Sequence, residues 1–121
     1  MNIVESGIVL FTEQYERAVN FYGNTLGLAV RQRQADLTVF SFGGSYLMVE
    51  RGGFASPTEK SRQANPTVLR LDVSDFEACV AELRRKNIIV TVDSFTWGTI
   101  ASFIDTEGNQ IELKDAKENQ A

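Results

Sequence analysis

Tyr15-Glu16-Arg17-Ala18-Val19-Asn20-Phe21-Tyr22-Gly23-Asn24-Thr25-Leu26-Gly27 decides the fold, because its pattern returns half a chain later. Tyr15, Ala18, Val19 and Tyr22 recur at i, i+3, i+4 and i+7, the apolar stripe of an amphipathic helix, and Gly27 supplies a left-handed stop. A helix over residues 13–26 is predicted. The second copy opens with Ser74-Asp75-Phe76-Glu77, in which Ser74 can cap an amide and Glu77 can reach back as a capping box. It runs through Phe76, Cys79, Val80 and Leu83 in the same spacing, with Asn87 as its stop. Laying Tyr15 on Phe76 sets an offset of 61 residues (76 minus 15), about half the chain.

Strand signals flank both helices in the same order. Residues 4–11 precede the first helix, and 29–33, 37–42 and 45–50 follow it, the last two joined across Gly43-Gly44 as a tight hairpin. Residues 67–73 precede the second helix; 88–92, 99–104 and 110–114 follow, with Glu107-Gly108-Asn109 as a turn. Each half therefore reads βαβββ. The expectation is one α+β domain over 1–121, with modules at about 1–51 and 66–115. The connector 52–65 is polar and punctuated by Gly and Pro, which suits a linker or a binding lid.

Bulk properties exclude several classes. With 43% hydrophobic and 23% charged residues, the composition is that of one soluble globular domain. No apolar run approaches the ~18 residues of a membrane span and the amino terminus lacks a signal-peptide pattern, so a cytoplasmic protein without a membrane partner is expected. Sixteen acidic against twelve basic residues give a net charge of −4, which disfavours nucleic acid as a partner. Cys79 is the one cysteine and lies in the apolar helical pattern, where a core role is expected over a reactive thiol. There is no histidine, so the commonest metal ligand and the usual acid–base group are both missing. Gly43-Gly44 and Gly52-Gly53 are isolated pairs, turns and not a phosphate-binding loop.

In order and at these spacings, Glu16-Arg17-Ala18-Val19-Asn20-Phe21-Tyr22, Leu26-Gly27-Leu28, Val73-Ser74-Asp75-Phe76, Trp97-Gly98 and Phe103 through Leu113 resemble the vicinal oxygen chelate superfamily of glyoxalases, bleomycin-resistance proteins and extradiol dioxygenases. The resemblance spans residues 7–115. It implies that the two modules form a curved mixed sheet with helices outside and a ligand cup inside, usually in a homodimer. Carried over residue by residue, it places Gly7 and Val68 where metal-dependent relatives hold ligands, and neither offers a donor side chain. Glu112 alone matches a ligand position, while Glu50 falls near a fourth. Two carboxylates without imidazoles bind divalent cations weakly, so no metal site and no cofactor are expected.

Strand alternation suggests what lines the cup. Glu5, Gly7, Val9 and Phe11 face away from Ile8 and Leu10; Tyr46, Met48 and Glu50 face away from Leu47 and Val49. In the second half Val68, Arg70 and Asp72, with Gln110, Glu112 and Lys114, oppose an aliphatic face. The candidate ligand-binding set is Glu5, Phe11, Tyr46, Met48, Glu50, Arg70, Trp97 and Glu112. Arg70 either pairs with Glu112 or Glu50, where a cation would otherwise sit, or is a solvated rim charge. Glu5, Asp72 and Lys114 are expected to be solvated at the rim, Phe40, Phe42 and Phe103 to fill core, and Trp97 to pack or to stack on a flat ligand.

The expected function is metal-free binding and sequestration of a small molecule, in the manner of bleomycin-resistance proteins, by a homodimer. The alternative is a lyase, isomerase or dioxygenase of the same superfamily with a non-standard site, in which Glu112 is the catalytic base.

Overall fold

A computed structural model describes residues 1–119 of the chain. It divides into two compact units between Pro57 and Thr58. Each unit is one βαβββ module, so the fold is α+β.

In the first module β1 (Gly7–Thr12) leads to α1 (Tyr15–Asn20), and β2 (Val30–Arg33), β3 (Leu37–Phe42) and β4 (Ser45–Arg51) follow. The sheet order is β1-β4-β3-β2, with β1 parallel to β4 and the other pairs antiparallel. Gly43, at φ 61°, turns the β3–β4 hairpin. The helical segment corrects the expectation of one regular α-helix over 13–26: it passes from α into a π-helix at Phe21–Thr25. Leu26 donates its amide to the Phe21 carbonyl at 2.9 Å and Leu28 to that of Tyr22 at 3.0 Å, wide turns that Gly27 closes at φ 75°. The wider turn keeps both Phe21 and Tyr22 in the core, at 4% and 0% exposure, although they are adjacent in sequence. They meet edge to face at 5.3 Å, and Tyr22 reaches Phe40 at 6.4 Å. Phe40, Leu47 and Val49 complete the buried face of this sheet, each worth about 1.5–3 kcal/mol when removed from water.

The second module repeats the order: β5 (Leu69–Val73), α2 (Phe76–Arg85), β6 (Thr91–Phe95), β7 (Gly98–Ile104) and β8 (Gln110–Asp115), ending in a 3-10 turn at Ala116–Asn119. Its sheet order is β5-β8-β7-β6. The capping box expected at Ser74 and Glu77 does not form; Asp75 is the N-cap and makes no side-chain cap hydrogen bond. Asn87, at φ 65°, ends the helix as expected, and the Ile88 amide returns to the Leu83 carbonyl. The strand expected at 88–92 lies instead at Thr91–Phe95, because the helix exit uses 86–88 and the pairing of Phe95 with Gly98 sets a tight hairpin around Thr96 and Trp97. Leu69, Ala101, Phe103, Ile111 and Leu113 are buried on the face where α2 packs. Phe42 is half-buried, while Phe40 and Phe103 are core as expected.

Candidate functional site

The alternation read from the sequence shows in the burial of β4, β5 and most of β8 but not of β1, where Ile8 and Val9 are both exposed; register shows what it brings together. In the second module Arg70 on β5 stands beside Glu112 on β8. The Arg70 Nε donates to Glu112 Oε1 at 3.0 Å, and Nη2 lies 2.8 Å from the same oxygen. Arg70 is thus paired with Glu112, on the face turned away from α2. The carboxylate is the more sheltered member, with a side-chain exposure of 17% against 47% for the guanidinium. Gln110 Nε2 donates to Glu112 Oε2 at 3.4 Å, and Gln110 Oε1 accepts from Arg62 at 2.9 Å.

The guanidinium also faces an aromatic stack. Its central carbon lies 5.6 Å from the centroid of the Trp97 ring, and Trp97 stacks on Phe95 with centroids 5.1 Å apart and planes within 2°. The tight turn at Thr96 and Trp97 places the two rings side by side. Both residues remain about half exposed, at 52% for Phe95 and 53% for Trp97. Trp97 therefore already has partners from its own chain. A half-exposed ion pair contributes under about 1 kcal/mol and an exposed cation–π contact about 0.5–1 kcal/mol, so the arrangement is ordered but cheap to open.

Asp72 is exposed, as a rim charge should be, but Lys114, its register partner on β8, is 8% exposed and is not the solvated residue the sequence suggested. It sits in the row of Ile100, whose side chain is also buried.

In the first module Tyr46, Met48 and the Phe11–Glu50 pair are strung along β1 and β4, with Glu5 ahead of the start of β1. Glu5 receives both terminal nitrogens of Arg31 at 2.9 Å, and Arg31 continues to Ser41 Oγ at 3.0 Å and the Ser45 carbonyl at 3.1 Å. That hydrogen bond is the main reason the Glu5 carboxyl titrates below its ordinary range, and it raises Arg31 in turn. Tyr46 lies opposite Gly7 and Met48 opposite Val9. The offset of 61 lays Val9 on Arg70, and register then makes their partners, Met48 and Glu112, counterparts of one another. Glu50 is opposite Phe11, one pleat further on, so Met48 and not Glu50 is the internal counterpart of Glu112.

The positions from which metal-dependent relatives draw ligands do not fit a metal in this chain. Gly7 has no side chain, and a Cβ there would lie 2.3 Å from the Tyr46 ring. Val68 offers no donor, and Glu112 is engaged by Arg70. Among the described residues no group of three or more His, Cys, Asp or Glu side chains could hold an ion. Cys79 is partly buried; burial first, and the charge of Asp75 second, push its thiol upward, as for an inert helix residue.

Both ends of the connector are fastened to their own modules. The Gly52 and Gly53 amides donate to the Thr12 carbonyl at 3.0 and 3.2 Å, with Gly53 lying too close to the Phe11 carbonyl for any Cβ. Further on, Lys60 Nζ and Asn65 Nδ2 reach Asn109 Oδ1 at 3.2 and 3.0 Å, and the Lys60 amide reaches the Gly108 carbonyl at 2.8 Å. That turn is organised by buried Asp105, which accepts from the amides of Glu107 and Asn109. Arg31, Arg62 and Asp105 carry no functional mark in the sequence, and Gln110 is marked only by its strand face. Only their partners in space give them a role, although the Asp-x-x-Gly-Asn spacing was a legible turn signal. A separate groove of about 300 Å³ lies along α1 and β2, lined by Glu16, Val19, Asn20, Gly23, Asn24, Val30 and Arg33. It contains none of the candidate ligand-binding residues.

Two repeated βαβββ modules, each a four-stranded sheet with the outer strand pair parallel, define the class of protein. The sequence profile of the glyoxalase/bleomycin resistance protein/dioxygenase superfamily matches residues 6–113, and the chain belongs to that superfamily. Among solved structures it is similar to a glyoxalase/dioxygenase from Nostoc punctiforme, with a TM-score of 0.75, 19% identity, and 95% of this chain and 97% of that one covered. A bleomycin-binding protein complexed with bleomycin gives 0.72 at 17% identity, covering 93% and 98%. The lactoylglutathione lyase of Agrobacterium tumefaciens gives 0.72 at 15%, covering 97% and 96%. At these identities the likeness is one of fold. Comparison with the curated proteins finds no match. No helix among the described residues is long and apolar enough to cross a membrane.

Proposed function

We propose that this chain is a metal-independent, cytoplasmic small-molecule-binding protein that acts by stoichiometric sequestration, as a homodimer. The observation that carries the reading is the exposed Phe95–Trp97 stack beside the Arg70–Glu112 pair: flat apolar surface next to fixed charge is the chemistry of a recognition site for planar, charged compounds. Phe11, at 51% exposure, with Tyr46, Met48, Glu50 and the Glu5–Arg31 pair, gives the first module a comparable face of rings and charges. Antibiotics of the bleomycin type are the first ligands to try, since a protein of this fold has been solved with bleomycin. Binding needs no reaction, which agrees with the poor fit of the inherited metal positions.

Trp97 is the single tryptophan, so its fluorescence reports the site directly. Titration with bleomycin and a panel of planar drugs is expected to give saturable changes at a stoichiometry of one site per chain. A flat response across the panel would remove the sequestration reading. Light scattering tests the dimer.

The match of Glu112 to a ligand position in the family resemblance supports the enzymatic alternative, a lyase, isomerase or dioxygenase with Glu112 as base. On that reading Glu112 must first leave Arg70. Metal found by elemental analysis, with turnover abolished by chelation or by Glu112→Gln, would favour it.

A further inference from the structure

In the second module a ligand-like group belongs to the chain itself. Glu112 is the sheltered member of its pair and needs a cation; Trp97 presents a π face, which attracts positive charge. One chemical group satisfies both at once: a flat, delocalised cation, edge-on to the carboxylate and face-on to the ring. The guanidinium of Arg70 is such a group. It lies 2.8 Å from Glu112 and 5.6 Å from the Trp97 centroid.

We propose that Arg70 is a built-in occupant of this subsite, and that the ligand brings a planar amidinium or guanidinium that takes its place between Glu112 and Trp97. The proposal rests on the sequestration reading and narrows it to a ligand class. Three features make Arg70 displaceable and not structural. Its side chain is half exposed, so it can swing into water. Glu112 also accepts from Gln110 at 3.4 Å, so it keeps a partner when Arg70 leaves. The rings support one another through their own stack, so Trp97 stays in place when the guanidinium leaves. Arg70 then acts as a specificity filter: a ligand must out-compete a tethered guanidinium, and a neutral planar compound gains nothing from the vacated carboxylate.

The test uses benzamidine and its neutral isostere benzamide, titrated into the wild-type protein, R70Q and E112Q by calorimetry and Trp97 fluorescence. Benzamidine is expected to bind R70Q about fivefold or more tightly than wild type, the equivalent of the weak internal contact it no longer displaces. Benzamide is expected to show no such gain, and E112Q to lose the benzamidine preference. Benzamidine affinity that is unchanged or weaker in R70Q overturns the proposal, because Arg70 would then be a contributor or a bystander. A gain shared equally by benzamide overturns it too, as it would show only unmasking of apolar ring surface. The two readings fail separately. If the planar panel binds wild type but R70Q gains nothing for benzamidine, the competitor role of Arg70 falls alone; a silent panel removes sequestration itself.

Discussion

The ring of Tyr46 lies across the backbone of Gly7, so close that a Cβ at position 7 would fall 2.3 Å from its Cε1 and Cζ. The two residues are register partners on β1 and β4. Position 7 is empty so that position 46 can be aromatic. Gly7→Ala is expected to turn the half-buried Tyr46 ring aside and to destabilise the protein by about 1 kcal/mol. In a Tyr46→Ala background the same change should reverse sign and stabilise by about 0.4–1 kcal/mol, since Ala orders the unfolded chain less expensively than Gly. Denaturant unfolding of the four proteins checks both signs.

Tyr15, at 1% exposure, donates its hydroxyl to the Gln34 carbonyl at 2.9 Å and meets Thr38 Oγ1 at 2.6 Å, while Arg51 lies 4.6 Å above its ring. Tyr15→Phe should cost about 1–3 kcal/mol because Thr38 keeps a buried hydroxyl that has lost this partner. Thr38→Val in the same chain should restore part of that loss. A thermodynamic cycle that comes out additive would show that the two hydroxyls do not act together.

The Glu5 carboxyl is lowered from its ordinary value of 4.5, chiefly by its hydrogen bond from Arg31. A lowered folded-state value means the stabilisation is fully present above the unfolded-state value and is lost as pH falls through the lower folded one. The difference in unfolding midpoint between wild type and Glu5→Gln should therefore be constant above about pH 5 and vanish on acidification. It should also shrink with salt, since both groups are exposed.

Thr106 Oγ1 is buried and has no hydrogen-bond partner among the described residues. Thr106→Val keeps the shape and removes the unsatisfied hydroxyl. It is expected to stabilise by about 1 kcal/mol, read as a higher melting temperature.

The sequence by itself determined the repeat, the order of elements and the face on which each strand residue lies. Those follow from local periodicity: Tyr15, Ala18 and Val19 on one helix stripe, and Arg70 and Glu112 on strands whose alternation can be counted. It also determined which groups are missing, since a chain without histidine, with Gly7 and Val68 where donors would stand, cannot present those ligands in any conformation. Tertiary structure decided the rest, because partners far apart in sequence carry no local mark. That Arg70 meets Glu112 across 42 positions, that Arg31 reaches Glu5, and that Met48 and not Glu50 is the counterpart of Glu112 are consequences of register. The π-turn after Asn20 and the late start of β6 were hidden for a related reason. Both are settled by competition between a local pattern and the packing of Phe21, Tyr22 and Phe95, and only the folded chain weighs the two.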